Sequence, residues 1–339
     1  MISQPDPIAV VEAAYAPAAN DTQWLDALTS ASRPMLDLGR GVFSLIHDTH
    51  DPEWVGLRGA RALGLDASFM GGFFGLSAER GDETRAMVRI FRTVFVTSAS
   101  RQLLRAPPRL RRQFAAVLGA GGFADAHVVN ATDPSNVGVM FVAPTERGRP
   151  WSPQHAHRWS HLAAHVAAGL RIRRIRAQLD AAGARLGVEA VVRPDGHIEH
   201  ADECAKGKGA RAALRLGALA MERARGPLRR CDPDEAIAIW EGLLGGRWSL
   251  VEHYDSDGRR YLLAHRNDPD APDVRGLTLR ERQVIAYAAA GHPNKIIAYE
   301  LGLTSSTVAG HLARARAKLA LPSLEAVRKL LAVPAALSS

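Results

Sequence analysis

Residues 304–319 read TSSTVAGHLARARAKL. Hydroxyls at Thr304, Ser305, Ser306 and Thr307 stand ahead of Val308, Leu312, Ala315 and Leu319, which recur at helical spacing. Thr304 is the natural cap of that helix. The first turn then presents backbone amides with no partner inside the helix, next to the hydroxyls of Ser305, Ser306 and Thr307. Converging neutral donors at the positive end of a helix are chemistry for a phosphate. Lys295, Arg314, Arg316 and Lys318 add cations, and His311 adds a ring. The positions left to face a partner, Ala309, Gly310 and Ala313, are all short.

Other groupings carry less chemistry. His157, His161 and His165 fall four residues apart on one helical face, a chelating interval, yet no carboxylate or cysteine accompanies them. No metal site is therefore expected. Cys204 beside Glu203 and Lys206 is expected to be inert. GAGGF (119–123) lacks the Gly-Lys-Ser/Thr of a phosphate loop and reads as a turn. GGFFG (71–75) reads as an apolar core or pocket segment. RIRRIR (171–176) reads as exposed basic decoration. With no paired carboxylates or nucleophile elbow, the sequence gives no grounds for an enzyme, and no cofactor is implied.

The helices around 304–319 set its position. LTLRERQVIAYAAAG (277–291) opens with Thr278 and Glu281 at capping-box spacing and closes on Gly291. NKIIAYEL (294–301) is a short helix with Asn294 as its cap, and Gly302-Leu303 makes the turn. A fourth helix starts at Ser323, with Glu325 in its first turn and Val327 and Leu330 facing inward. Two helices joined by a short Gly-containing turn form a helix-turn-helix, whose second helix, here 304–320, fits the major groove of duplex DNA.

Residues 277–331 resemble the LuxR/GerE-type DNA-binding domain of bacterial transcription regulators. The likeness rests on Leu277, Thr278, Arg280, Glu281, Val284, Gly291, Asn294, Lys295, Ile297, Ala298, Leu301, Thr304, Thr307, Val308, His311, Lys318, Leu319 and Glu325-Ala326-Val327. It implies an all-α four-helix module over 277–334, double-stranded DNA as partner, a homodimer, and contact with RNA polymerase. It also implies that Asn294, Lys295, Thr304 to Thr307, Ala309, Gly310, His311, Ala313, Arg314, Arg316 and Lys318 meet the DNA. The sequence departs from the family where it matters. Ala309 stands where a lysine is usual, Ile296 where an acidic residue is common, and Pro293 where serine is. Weak, salt-sensitive binding is expected, with the two alanines left to meet thymine methyls.

Upstream, a multidomain α+β chain is expected. Strand-like runs at 41–49, 54–60, 126–133 and 136–144 give residues 1–150 an antiparallel sheet among helices, similar to a GAF domain. Residues 151–184 read as one long connecting or dimerising helix, capped by Ser152 with Pro153 at its first position, rather than as a buried element. EAVVRPDGHIEHAD (189–202) and RWSLVEHYDSDGRRYLLAHRN (247–267) are hairpins around Asp-Gly turns, so 185–265 resembles a PAS domain. Residues 266–276 read as a linker. The resemblance implies sensor domains and a small-molecule ligand in the amino-terminal region.

Composition agrees. The 339 residues suit two or three domains of about 100–200 residues, and 47% are hydrophobic. No apolar run reaches the ~18 residues of a membrane helix, the amino end lacks a positively charged export signal, and two cysteines make no disulfide framework. A cytoplasmic protein with no membrane partner is expected. The formal net charge is +8, and 277–331 alone carries +5, which points to a polyanion. The competing expectations are a protein-interaction scaffold without sequence-specific DNA binding, and an enzyme carrying a regulatory DNA-binding tail.

Overall fold

The computed structural model describes residues 5–76, 81–132, 136–146, 150–181, 188–240, 243–244, 248–254, 258–266, 279–289, 293–301, 303–318 and 323. Thr278, Gly291, Gly302, Leu319, the linker from 267 onward and the expected fourth helix beyond Ser323 lie outside them. The chain divides into two compact units, Met1–Met35 with His165–Arg275, and Leu36–Ala164 with Gly276–Ser339.

In chain order the elements begin with α1 (Pro7–Tyr15) and α2 (Asp21–Leu36), then β1 (Val42–Asp48) and β2 (Gly56–Leu63). Next come α3 (Ala67–Gly75), α4 (Asp82–Phe91), β3 (Phe95–Ser98), α5 (Ala99–Gln102) and α6 (Pro108–Ala120). Strands β4 (Asp125–Thr132) and β5 (Val137–Thr145) lead into the long α7 (Pro153–Ala181).

The sheet built by β1 to β5 is antiparallel, ordered β2-β1-β5-β4-β3. Every residue of β4 and β5 is buried, including the polar side chains of Asp125, His127, Asn130, Thr132 and Thr145. Two of the buried polar side chains of this sheet pair with each other. His47 on β1 is fully buried and its Nε2 lies 2.8 Å from Asn130 Oδ1 on β4. Asn130 spends its amide donors on the carbonyls of Phe91 (2.7 Å) and Thr93 (2.8 Å), so its oxygen must accept and His47 carries its proton on Nε2. Gly138 on β5 lies opposite both His47 and Thr132 in the ladder. A Cβ there would come within 2.4 Å of Thr132 Oγ1 and 2.7 Å of His47 Nε2, so only glycine leaves room for the pair.

The second α+β region continues with β6 (Val188–Val192), β7 (Ile198–Ala201), α8 (Lys208–Arg225), α9 (Leu228–Cys231), α10 (Pro233–Ile239), β8 (Leu243–Leu244), β9 (Trp248–Tyr254) and β10 (Arg260–Arg266). Both expected hairpin pairs of strands form. Gly196 adopts φ +80° in the Asp195-Gly196 turn, a conformation that suits glycine. This sheet runs β7-β6-β10-β9-β8. Counted within each sheet, both have the order 2-1-5-4-3.

Two features differ from the expected organisation. The first 35 residues group with the second α+β region rather than with residues 36–150. The reason is charge as well as apolar contact. Asp6 caps α1 through the amides of Ile8 and Ala9 and also pairs with Arg229. Glu12 pairs with Arg225 at 3.0 Å, and Arg225 also meets Glu252 and lies over the Trp240 ring. The other difference is α7. Ser152 does cap it, through the amide of His155 at 3.2 Å. Residues 162–172, however, are buried on every side and leave no exposed face there for a second copy. Small residues explain this: Gly169 lets the backbone of Ala14 approach so closely that a Cβ would fall 2.2 Å from its carbonyl oxygen. The three α7 histidines spaced four residues apart do not converge. His165 is buried 3.2 Å from the Tyr15 hydroxyl, while His157 and His161 meet edge to face. Among the described residues no group of three metal-ligating side chains exists.

Candidate nucleic-acid interface

Three described helices make up the carboxyl-terminal module: α11 (Leu279–Ala289), α12 (Asn294–Leu301) and α13 (Ser305–Lys318). Val284, Ile285 and Ala288 from α11, Ile297 and Ala298 from α12, and Val308, Leu312 and Ala315 from α13 form one core. These are the apolar positions at helical spacing in each segment, so hydrophobic burial sets how the helices meet. Leu303 closes the turn by donating its amide to the Ala298 carbonyl at 2.8 Å.

The start of α12 corrects one expectation. Its first amides, at Ile296 and Ile297, bond the carbonyl of Pro293 at 2.9 and 3.1 Å. Pro293 is therefore the cap and Asn294 the first helical residue, because the helix begins one residue earlier than an asparagine cap requires. Asn294 and Lys295 are exposed there.

The start of α13 is as the sequence predicts. Thr304 Oγ1 accepts the amide of Thr307 at 3.1 Å, and the Thr304 carbonyl accepts that of Val308 at 3.0 Å. Thr304 also exchanges hydroxyl hydrogen bonds at 2.8 Å with Ser306 and with Thr307. Thr304 to Thr307 are all exposed, so a dense group of hydroxyl and amide donors sits at one helix end. Replacing Thr304 by alanine removes the acceptor for an orphan amide. That lowers the stability of the module by about 1 kcal/mol, measurable as faster hydrogen exchange across 305–318.

Along α13 the buried side is Val308, Leu312 and Ala315, and the open side carries Ala309 and Ala313, with Gly310 half-buried. A Cβ on Gly310 would meet only the Arg314 guanidinium at 3.6 Å, an ordinary contact, so packing does not demand glycine there. Arg314 is partly engaged within the fold. Its Nε lies 3.6 Å from Oε1 of Glu281, a side chain only 2% exposed, and its Nη2 donates to His311 Nδ1 at 3.1 Å. Burial first, and then the neighbouring Arg314 cation, hold His311 below the ordinary imidazole value. At neutral pH the ring is uncharged and its Nδ1 is an acceptor. Sequence reading assigned Glu281 to a capping box; its place under Arg314 depends on the α11–α13 contact, which spacing along one helix does not reveal. Arg316 is half-buried, and the side chain of Lys318 lies outside the described residues.

Comparisons with known proteins agree with this geometry. The chain is 38% identical over 79 residues to the transcriptional regulatory protein FixJ of Rhizobium meliloti (strain 1021), a match over 22% of this chain and 39% of that protein. The chain thus spans well under half the length of that curated relative. Among solved structures, SdiA in complex with octanoyl-rac-glycerol aligns over 86% of this chain and 80% of its own at 9% identity, with a TM-score of 0.24, too loose to relate the folds. Residues 275–330 match the family of bacterial regulatory proteins of the luxR type, which makes the carboxyl-terminal segment a luxR-family helix-turn-helix domain.

Proposed function

We propose that this chain is a DNA-binding transcriptional regulator that reads duplex DNA with α13. The observation that carries the reading is the exposed cluster of amides and hydroxyls at Thr304 to Thr307, held at the open end of a helix whose other side is the module's core. Phosphate oxygens dock at that end, and Asn294, Lys295, Arg314, Arg316 and Lys318 lie within the same basic segment to contact the backbone. His311, neutral and beside Arg314, steadies that side chain. Ala309, Gly310 and Ala313 face the bases, where methyl groups meet thymine methyls. The name of the FixJ relative, a transcriptional regulatory protein, supports the same reading.

The finer assignment is a dimeric, signal-responsive regulator working in the cytoplasm and without catalysis of its own. Dimerisation supplies what a face of short side chains lacks, since two weak half-sites on one assembly act together. The shared 2-1-5-4-3 strand order supports a pair of related GAF- and PAS-like sensor domains. A small ligand bound there, or a protein such as RNA polymerase, biases the regulator between two states.

Selection from random duplexes by the full chain tests the proposal. An enriched, roughly two-fold-symmetric sequence is expected, and no affinity for any duplex in dilute buffer sinks it. The short side chains at Ala309, Gly310 and Ala313 favour one rival, a scaffold that holds DNA without reading it; binding with no enriched sequence would select that rival. A charge variant gives a graded check. Ala309→Lys adds a phosphate contact, steepening the dependence of log affinity on log salt by about 1 and tightening binding about fivefold at low salt.

A further inference from the structure

The β6–β7 turn and the first two turns of α8 border an open groove of about 570 Å³. Small-molecule sites occupy about 300–1,000 Å³, so the space is of that size class. Asp195, Gly196 and Ile198 line the strand side, and Arg211, Ala212 and Arg215 the helix side. Polar and apolar atoms both face the space. Its one acidic side chain, Asp195, is already engaged. Oδ1 accepts the His197 amide at 2.9 Å, and Oδ2 accepts Arg193 at 2.6 Å. The His197 amide first, and then the Arg193 cation, hold this carboxyl below its usual range. Arg211 and Arg215 are exposed and make no side-chain hydrogen bond or ion pair among the described residues.

The placement of these cations is locally unfavourable. Lys208, Arg211 and Arg215 follow one another at three- and four-residue steps, and α8 has no acidic residue before Glu222. Like charges at that spacing repel. Cations near a helix start also oppose the positive end of its dipole, and no side chain caps this start, where Gly207 stands. Departures of this kind from local preference collect at functional positions. Three cations and a helix start thus add to one positive potential beside the groove. One head is also preset. Gly196 lies so close to Arg215 that a Cβ on it would fall 2.8 Å from the arginine Cγ. The turn clamps the aliphatic stem of Arg215 and leaves its guanidinium open, which lowers the ordering cost of binding.

We propose that this groove binds a small phosphate monoester, its phosphate held by Arg211 and Arg215 and its organic part lying on Ile198 and Ala212. Planar guanidinium forks suit phosphate oxygens, and a dianion matches two cations. A monocarboxylate leaves one arginine unmatched, and an amine is repelled. A bare phosphate leaves the apolar part of the groove uncovered. As the signal site of the regulator, the inference rests on the preceding functional reading; as a binding site, it stands without DNA.

The test uses the full chain, with phenyl phosphate, inorganic phosphate, benzoate and phenol as probes, read by calorimetric titration in the absence of DNA. Saturable binding of phenyl phosphate is the expected result, with inorganic phosphate and benzoate each roughly tenfold weaker and phenol silent. Arg211→Gln and Arg215→Gln each weaken phenyl phosphate by a similar factor. Both positions are exposed, so the melting temperature holds level or rises as like-charge repulsion falls. Ala212→Glu brings a carboxylate to the arginines and abolishes binding, which separates this site from the amides at Thr304 to Thr307. No saturable binding, equal affinity for benzoate, or binding that none of the three variants alters would overturn the proposal. Arginine variants that lose duplex affinity in a chain blind to phenyl phosphate would make the groove a DNA contact instead. Duplex affinity of the unaltered chain, measured on the same samples, fails or holds independently.

Discussion

Val308→Asp abolishes duplex binding by the full chain and unfolds the carboxyl-terminal helices. Val308 is fully buried among Val284, Ile285, Ala288, Ile297, Ala298, Leu312 and Ala315, all of them apolar. A carboxylate there loses its hydration and gains no partner, a penalty of several kcal/mol. A module of this size has a total stability toward the low end of about 5–15 kcal/mol, so one such change consumes most of it. Val308→Ala serves as the graded control. It removes two methyl groups, costs on the order of 1–3 kcal/mol, and keeps measurable binding on cooling. Hydrogen exchange over 279–318 and duplex anisotropy read both variants together. Native binding by Val308→Asp would mean that α13 does not depend on this core.

Acid weakens the amino-terminal sheet through His47. Burial pushes this imidazole down to about 4 from its ordinary 6.5, with the Asn130 hydrogen bond and nearby Asp48 offsetting only part of the loss. The geometry accounts for the direction. Nε2–H already donates to Asn130, and Nδ1 is buried with no partner, so an added proton would find no acceptor. The folded chain therefore prefers the neutral ring more strongly than the unfolded chain does. The associated stability is complete above about pH 6.5 and is lost progressively as pH falls toward 4. Its full size is on the order of 3 kcal/mol, from about 1.36 kcal/mol per unit. Urea unfolding of the sheet domain across that window should show the loss, and His47→Gln should flatten it even though the variant starts less stable at neutral pH. Equal pH slopes for both proteins would remove His47 as the cause.

What could be read from the sequence follows from where the information lies. Strands β1, β4 and β5 were legible because β-branched and other apolar residues are frequent in short runs bounded by Gly, Pro and Asp, and the two Asp-Gly hairpins because a turn needing positive φ names its own residue. β3 escaped notice: four residues, Phe95–Ser98, hold too little pattern to separate from neighbouring helix. The core of α11 to α13 was legible from spacing, as was the Thr304 cap, both being local properties. The Glu281–Arg314 contact, the grouping of α1 with residues beyond 164, and the burial of α7 on all sides over 162–172 were not. Each depends on which distant surface an element meets, and a charge or an alanine does not encode that by its position alone. GGFFG suggested an apolar core or pocket segment, and Phe73 does join the core with Met87 and Met140, which only the fold brings together.

The open side of α13 also bears on how such a protein diverges. Ala309 and Ala313 contribute nothing to the helix core, and Gly310 is not required by its neighbours. On the proposed reading, mutations at these three sites are filtered by the DNA target and escape the folding constraint that governs Val308 or Leu312. A duplicated gene can acquire a new target set there in single steps, without first gaining spare stability, and a laboratory library restricted to the same three codons would retrace that path.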